Sequence, residues 1–305
     1  MPNWSHYVAL GWRRRDPAAR FGPMSLPAEL LAAYDTQVRA AEASNLPAGA
    51  NAVADPPIIR IVGQYRGLVS GPADLGIGGE ALDSLIARQL DFFRARGEAF
   101  EWKTHGHDRP SGIPGRLIAA GFVPEPQETV MVGLAKDMTA SAPALPEGVT
   151  IGQVVDETDM RRIAGMESEV SGEDWSWLAD DLTGRVRRGG TTVLAAEADG
   201  RVLSAAWLVV KPGTEFAGLW GGSTLMEWRG RGLYRTLVAR RAALAAELGV
   251  RYLQVDASAD SRPILERLGF IPVTTTTPYV WTPGPKVFIS ADPPRKSNSA
   301  RIRRC

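Results

Sequence analysis

In the second half of the chain the spacing of apolar residues switches between the two-residue period of a strand and the 3.6-residue period of a helix. Residues 149–156, VTIGQVVD, read as a strand, and Thr158 is placed to cap a helix running to Val170. WSWL at 175–178 starts a second short helix. Two apolar strands, 191–198 and 201–211, are joined by Asp199-Gly200, a strong signal for a two-residue hairpin turn. Residues 216–225 form a third strand. LYRTLVARRAALAAEL, 233–248, repeats apolar residues at helical spacing and stops at Gly249. A buried strand follows at 252–257, then a short helix at 263–268 ended by Gly269, then two strands up to Trp281. The order β-α-α-β-β-β-α-β-α-β-β predicts an α/β (α+β) fold, a mixed and mostly antiparallel sheet with helices on both faces.

The length, 305 residues, suggests two domains. KDMTASAPALPEG at 136–148 lacks periodicity and reads as a linker. It divides a first domain, 1–135, from a second, 149–283. Residues 284–305 read as a disordered basic tail; its last fifteen, ADPPRKSNSARIRRC, carry four excess positive charges. The whole chain has a formal net charge of +1, which points to neither nucleic acid nor an anionic membrane as a partner. The single cysteine, Cys305, excludes an internal disulfide and a cysteine metal cluster. Three histidines without ligand spacing give no metal site. The opening residues lack the apolar core of a signal peptide and no run approaches a membrane span, so a cytoplasmic location is the default.

EWRGRGLYR, 227–235, lies between the third of the antiparallel strands and the longest helix. A helix start leaves N–H groups without intrahelical partners and carries positive potential. Gly230 and Gly232 let the backbone bend until those N–H groups converge, and Arg229, Arg231 and Arg235 add charge. A bare basic turn is the bland alternative. Here the chain resembles the GNAT superfamily of acyl-CoA-dependent N-acyltransferases. The family signature, Arg/Gln-x-x-Gly-x-Gly/Ala, is similar to Arg229-Gly230-Arg231-Gly232-Leu233-Tyr234, with Tyr234 in the place of the last small residue. SADSRPILERLGF, 258–270, is similar to the family's later helix closing in Gly-Phe.

The resemblance covers roughly residues 147–283 and implies acetyl-CoA, or another acyl-CoA, as co-substrate. Its diphosphate would meet the main-chain N–H groups of 229–235, including those of Leu233 and Tyr234. Its pantetheine would run like an added strand along Ser223, Thr224 and Leu225. The strands 219–225 and 252–257 would splay apart around the thioester. A main-chain N–H near Ser223 or Thr224 would stabilise the developing oxyanion.

The first half carries an echo of the second. GEAFEWKTHGHDRPSGIPGRLIAAGF, 97–122, parallels GVRYLQVDASADSRPILERLGF, 249–270, with a four-residue insertion. FVPEPQETVMVG then parallels FIPVTTTTPYVW without gaps. The helix before it, 82–96, ends at Gly97 as its counterpart ends at Gly249. Counting back, Arg229 falls on Ile77 and Gly232 on Glu80, so the first copy lacks the arginines and sets a carboxylate where phosphates would lie. Gly76, Gly78 and Gly79 remain. The first half therefore reads as a degenerate domain that packs on the second, shapes the acceptor site or builds a homodimer. In its EWKTHGHDRP stretch, His105, His107 and Asp108 suggest an inter-domain loop with Arg109, a substrate contact or a metal site lacking a third ligand.

Acyl transfer to an amine needs a proton removed from the ammonium and one returned to the thiolate. The family's usual glutamate and tyrosine fall here on Gly218 and Leu265. Glu215 is three residues from Gly218 and should face the other side of the strand. Asp256, beside the splay, is the first choice for base or ammonium binder, against a loop-capping role. Glu173 and Asp174, between the first two helices, are candidates for binding a cationic amine, against simple helix capping. Tyr279 or Tyr234 is the candidate acid, and a water relay is the other route. Of Trp175, Trp177, Trp207, Trp220 and Trp281, Trp220 is the one expected to line the acceptor pocket. The leading reading is an N-acetyltransferase acting on a small-molecule amine. A non-catalytic acyl-CoA sensor or scaffold is the alternative, and a nucleic-acid module using the tail is a third class.

Overall fold

The computed structural model describes residues 25–44, 46, 49–64, 66–139 and 142–283. The basic tail expected at 284–305 lies outside the described residues. The first half contributes α1 (Leu26–Tyr34), β1 (Asn51–Asp55), β2 (Ile58–Val62), β3 (Gly67–Ser70), α2 (Gly79–Arg96), β4 (Phe100–His105), α3 (Ile113–Ala119), β5 (Val123–Pro124) and β6 (Glu128–Leu134). The second contributes β7 (Thr150–Val154), α4 (Glu157–Ser171), α5 (Trp177–Arg188), β8 (Thr191–Ala198), β9 (Arg201–Val210), β10 (Phe216–Thr224), α6 (Leu233–Glu247), β11 (Tyr252–Ala257), α7 (Arg262–Arg267) and β12 (Ile271–Trp281). The two closing strands expected before Trp281 are one strand, β12, with a register shift between Pro272 and Thr274. The first turn of α4 is capped by Asp156, whose Oδ1 accepts the Thr158 N–H at 2.7 Å, rather than by Thr158.

All the strands join one twelve-stranded sheet, ordered β1-β2-β3-β4-β12-β6-β11-β10-β9-β8-β7, with β5 beside β12. The order contains an exchange. The last strand of the first half, β6, pairs antiparallel with β11 of the second. The last strand of the second half, β12, pairs antiparallel with β4 of the first. The two meet each other in the middle. The repeat seen in the sequence is thus built as two halves that trade their final strands. The centre of the seam on β6 is apolar, with Val130, Met131 and Val132 completely buried.

Side-chain alternation then sorts the helices. Met131, Leu208, Ala217 and Leu219 face α6 and α7, and Phe100, Trp102 and Tyr279 face α2 and α3. On the opposite face, Val193, Ala205 and Trp207 lie under α4 and α5. Val130, Val132, Phe216 and Tyr252 lie under α1. The segment read as a linker begins as a 3₁₀ turn, Ala135–Met138, with Ala135 and Met138 buried beside α6. No helix among the described residues is long and apolar enough to cross a membrane.

Candidate active site

β10 and β11 run parallel and pair only at Phe216, Ala217 and Gly218, opposite Tyr252, Leu253 and Gln254. Beyond Gly218 they part, and a register shift between Gly221 and Ser223 interrupts the pairing of β10 with β9. A groove of about 750 Å³ opens at this parting. It is lined by Gly222, Ser223 and Thr224, by residues 228–230 and 232–235 of the turn, and by Ser258, Ser261 and Ile264 ahead of and within α7. α6 starts at Gly232 without a capping side chain, so the first N–H groups of the helix are left for a ligand. Gly232 has φ +88°, and a Cβ there would stand 2.7 Å from Pro143 Cγ. A Cβ on Gly230, at φ +74°, would meet nothing within 4 Å, which leaves the space over the turn open. Arg229 Nε donates to the Thr224 carbonyl at 3.1 Å, tying the turn to the end of β10. Arg231 lies 4.8 Å over the Trp228 ring, and Arg229, Arg231 and Arg235 are all exposed. These donors suit a diphosphate, the part of an acyl-CoA that such a helix start would hold. Leu225 does not reach the groove: its side chain is buried under α4, and its N–H bonds the Leu203 carbonyl.

Arg241 supports the same strand from within. It is fully buried on α6 and donates to the carbonyls of Trp207 at 3.3 Å and Trp220 at 3.0 Å. Burial lowers its guanidinium to about 10.

A second cavity, about 270 Å³, lies on the opposite face of the sheet. It is shared by the halves: Tyr34, Glu42, Lys103 and His105 come from the first, Trp220 and Asp256 from the second. Trp220 is 49% exposed there, and its Nε1 would lie 2.7 Å from a Cβ placed on Gly218. The indole therefore occupies the space that a side chain at Gly218 would need. Asp256 is not a free base. Lys103 Nζ donates to its Oδ2 at 2.6 Å and Gln254 Nε2 to its Oδ1 at 2.7 Å. Burial acts to raise the Asp256 carboxyl, but the Lys103 ammonium outweighs it and holds the group below its ordinary range.

The other acid–base candidates separate. Tyr279 is a correction: the exchange carries β12 into the first half, and Tyr279 is 8% exposed in the core beneath α2 and α3. Tyr234 instead lines the groove, with its ring against Gly222, where a Cβ would lie 2.7 Å from Tyr234 Cε2. Burial pushes its hydroxyl up. Glu173 and Asp174 are exposed outside both openings. The Asp174 Oδ1 accepts the Ser176 N–H at 2.9 Å, which holds its carboxyl below the usual range, as a turn-capping residue would be. Glu215 is tied to Gln37 and Arg251 at the far end of β10.

The HGHD stretch is a structural tie. Asp108 accepts the His105 N–H and pairs with Arg39 at 2.9 Å. His107 Nε2 meets Asp35 at 2.9 Å, and its Nδ1 lies 2.8 Å from the Thr274 hydroxyl on β12. No metal-ligating cluster occurs among the described residues.

One buried acid escaped the sequence reading. Glu167 on α4 is 6% exposed, and its Oε1 has no hydrogen-bond partner. It stands one turn before Val170 and beside Ser223, both of which line the groove. Burial raises its carboxyl. The helical pattern showed only a polar residue, since burial of position 167 depends on β10 bulging beneath it.

In the first half, β3 and β4 also pair at only three positions. There the gap is bridged: the Arg109 N–H donates to the Ala73 carbonyl, and the Leu75 N–H to the Arg109 carbonyl.

A bulged strand thus parts from its parallel neighbour beside an uncapped, arginine-rich helix start, an arrangement that suits a nucleotide diphosphate. Residues 158–270 match the acetyltransferase (GNAT) family. No curated protein matches the sequence. Across most of its length the chain has the fold of a GCN5-related N-acetyltransferase from Kribbella flavida, with TM-score 0.63 and 17% identity, covering 87% of this chain and 98% of that one. A tandem GNAT protein from the clavulanic acid biosynthesis pathway, solved without acetyl-CoA, gives 0.58 and 17% over 85% and 95%. A GCN5-related N-acetyltransferase from Sphaerobacter thermophilus gives 0.56 and 17% over 85% and 94%.

Proposed function

We propose that the protein transfers an acetyl group from acetyl-CoA to a primary amine of a small molecule, both bound at once. The observation that carries this is the position of β10 between the two openings: Gly222, Ser223 and Thr224 line the groove, and Trp220 lines the cavity on the other face. A donor and an acceptor held in these places approach one point on one strand. When bound, an acyl-CoA supplies a carbonyl already activated by its thioester.

The chain's residues divide the remaining work. The first N–H groups of α6, with Arg229, Arg231 and Arg235, hold the diphosphate. The strand edge at Ser223 and Thr224 aligns the arm that follows, and a main-chain N–H at the bulge steadies charge on the carbonyl oxygen. Trp220 walls the acceptor side against water. The amine nitrogen bonds to the acyl carbon as the carbon–sulfur bond breaks. Two protons leave the original ammonium, and one returns to sulfur. Tyr234, kept protonated by burial, is the donor placed to supply it. Asp256, held ionised, suits binding an ammonium better than removing its proton.

A binding-only role has one observation in its favour: Trp220 covers Gly218, where the family resemblance places the glutamate. One experiment separates the readings. Acetyl-CoA is titrated calorimetrically into the protein and into an Arg229→Glu, Gly232→Glu variant, with CoA release then followed over an amine panel. Binding at one site per chain, lost in the variant, and CoA release with an amine is the expected result. Binding without release on any amine means a sensor or scaffold. Equal binding by both proteins places the nucleotide elsewhere.

A further inference from the structure

Four side-chain cations line the cavity shared by the two halves, and three have an acidic partner. Arg39 pairs with Asp35 and Asp108, Lys103 with Asp256, and Arg185 with Asp181. The fourth, Lys211, has no ion-pair partner among the described residues. Glu42 and Asp256 line the same cavity and act on Lys211 through space, yet neither reaches it as an ion pair. Burial pushes the Lys211 ammonium below the usual lysine range. A desolvated charge is costly unless an opposite charge meets it. In this cavity the direct contact that neither carboxylate makes is open to an anionic group of a ligand.

The register also sets a length. Alternation along β9 puts Lys211 on the same face as Trp207 and Val209, and Trp207 pairs with Trp220. The bulge starts where Gly221 meets Ala206, five residues along β9 from Lys211. At roughly 3.3 Å per residue that is about 17 Å. The Trp220 indole walls this length.

We propose that Lys211 anchors a carboxylate of the acceptor, so that the acceptor is an amine bearing an acid group at the far end of an extended, largely apolar chain. This rests on the acyl-transfer reading above.

The test uses the full chain saturated with CoA and calorimetric binding of aminohexanoate, hexylamine and diaminohexane, with glycine as the short control. Aminohexanoate is expected to bind at least about tenfold tighter than the other three. Lys211→Met should erase that preference, and Lys211→Glu should turn it toward diaminohexane. Because Lys211→Met removes a half-buried charge that has no ion pair, it is expected to melt no lower than the parent protein. Equal or tighter binding of hexylamine or diaminohexane, a preference that survives Lys211→Met, or no binding of aminohexanoate overturns the proposal. CoA release from acetyl-CoA is followed in parallel. Selective binding without release leaves the anchor standing and removes the transferase reading; release with the diamine alone does the reverse.

Discussion

Glu167 shows how a single residue can be at odds with its surroundings. A carboxyl with one oxygen unpartnered and almost no exposure is poorly stabilised when ionised. Its folded-state value is raised above the ordinary glutamate value of about 4.3. The sign follows: the folded chain holds this proton more tightly than the unfolded chain does. The associated stability is complete at low pH and is lost as pH rises through the raised value. Glu167→Gln is therefore expected to flatten this decline and to melt higher than the parent at pH 8. Melting curves between pH 4 and 9 measure it, and a lower melting point for the variant at pH 8 would contradict the assignment. Neighbouring residues in the groove were more legible. Gly230, Gly232 and the three arginines declare their chemistry through type and spacing alone, whereas Glu167 acquires its character from what lies over it.

Among the elements, β4 and β11 meet through Lys103 and Asp256, although β12 and β6 lie between them in the sheet. Four flat strands would separate such residues by roughly 14 Å, so the sheet must curl toward this face for a 2.6 Å contact. Lys103→Met leaves Asp256 buried without its partner and is expected to cost about 3 kcal/mol, read from urea unfolding midpoints. Adding Asp256→Asn should recover most of that loss. The same pair makes an acid limb. The Asp256 value is lowered in the folded state, so its contribution is present above the ordinary carboxylate range and is lost as pH falls. A variant no less stable than the parent would show that the contact holds nothing together. The order of elements in the second half was readable from periodicity and turn residues. The destination of β12 was not, because a strand of four threonines followed by Tyr279 and Trp281 fits either half equally well.

For the whole molecule, the traded strands make each half incomplete. The core under α6 and α7 includes Met131 from the first half, and the core under α2 and α3 includes Tyr279 from the second. A fragment of residues 149–283 would leave the edge of β11 unpaired and that apolar surface open. Such a fragment is expected to aggregate or to dimerise, while the intact chain unfolds in one transition with coincident circular dichroism and tryptophan fluorescence. Two separated transitions would show that the halves are independent units after all. The shared cavity has the same origin: its walls are joined because the sheet is continuous.

By itself the sequence determined what local chemistry can carry. Helix and strand periods, the Asp199-Gly200 turn, the caps at Gly97 and Gly249, the Arg-Gly-Arg-Gly turn and the repeat of 97–122 in 249–270 are all properties of neighbours along the chain. The tertiary structure alone decided which half receives each final strand, that Asp256 is claimed by Lys103, that Tyr279 lies in a core and Tyr234 in the groove, that Glu167 is buried with one oxygen unpartnered, and that Lys211 lines the shared cavity without an ion pair among the described residues. Those outcomes depend on contacts between residues far apart in sequence. Burial and pairing are fixed only when a distant strand arrives, and no local pattern records which one it will be.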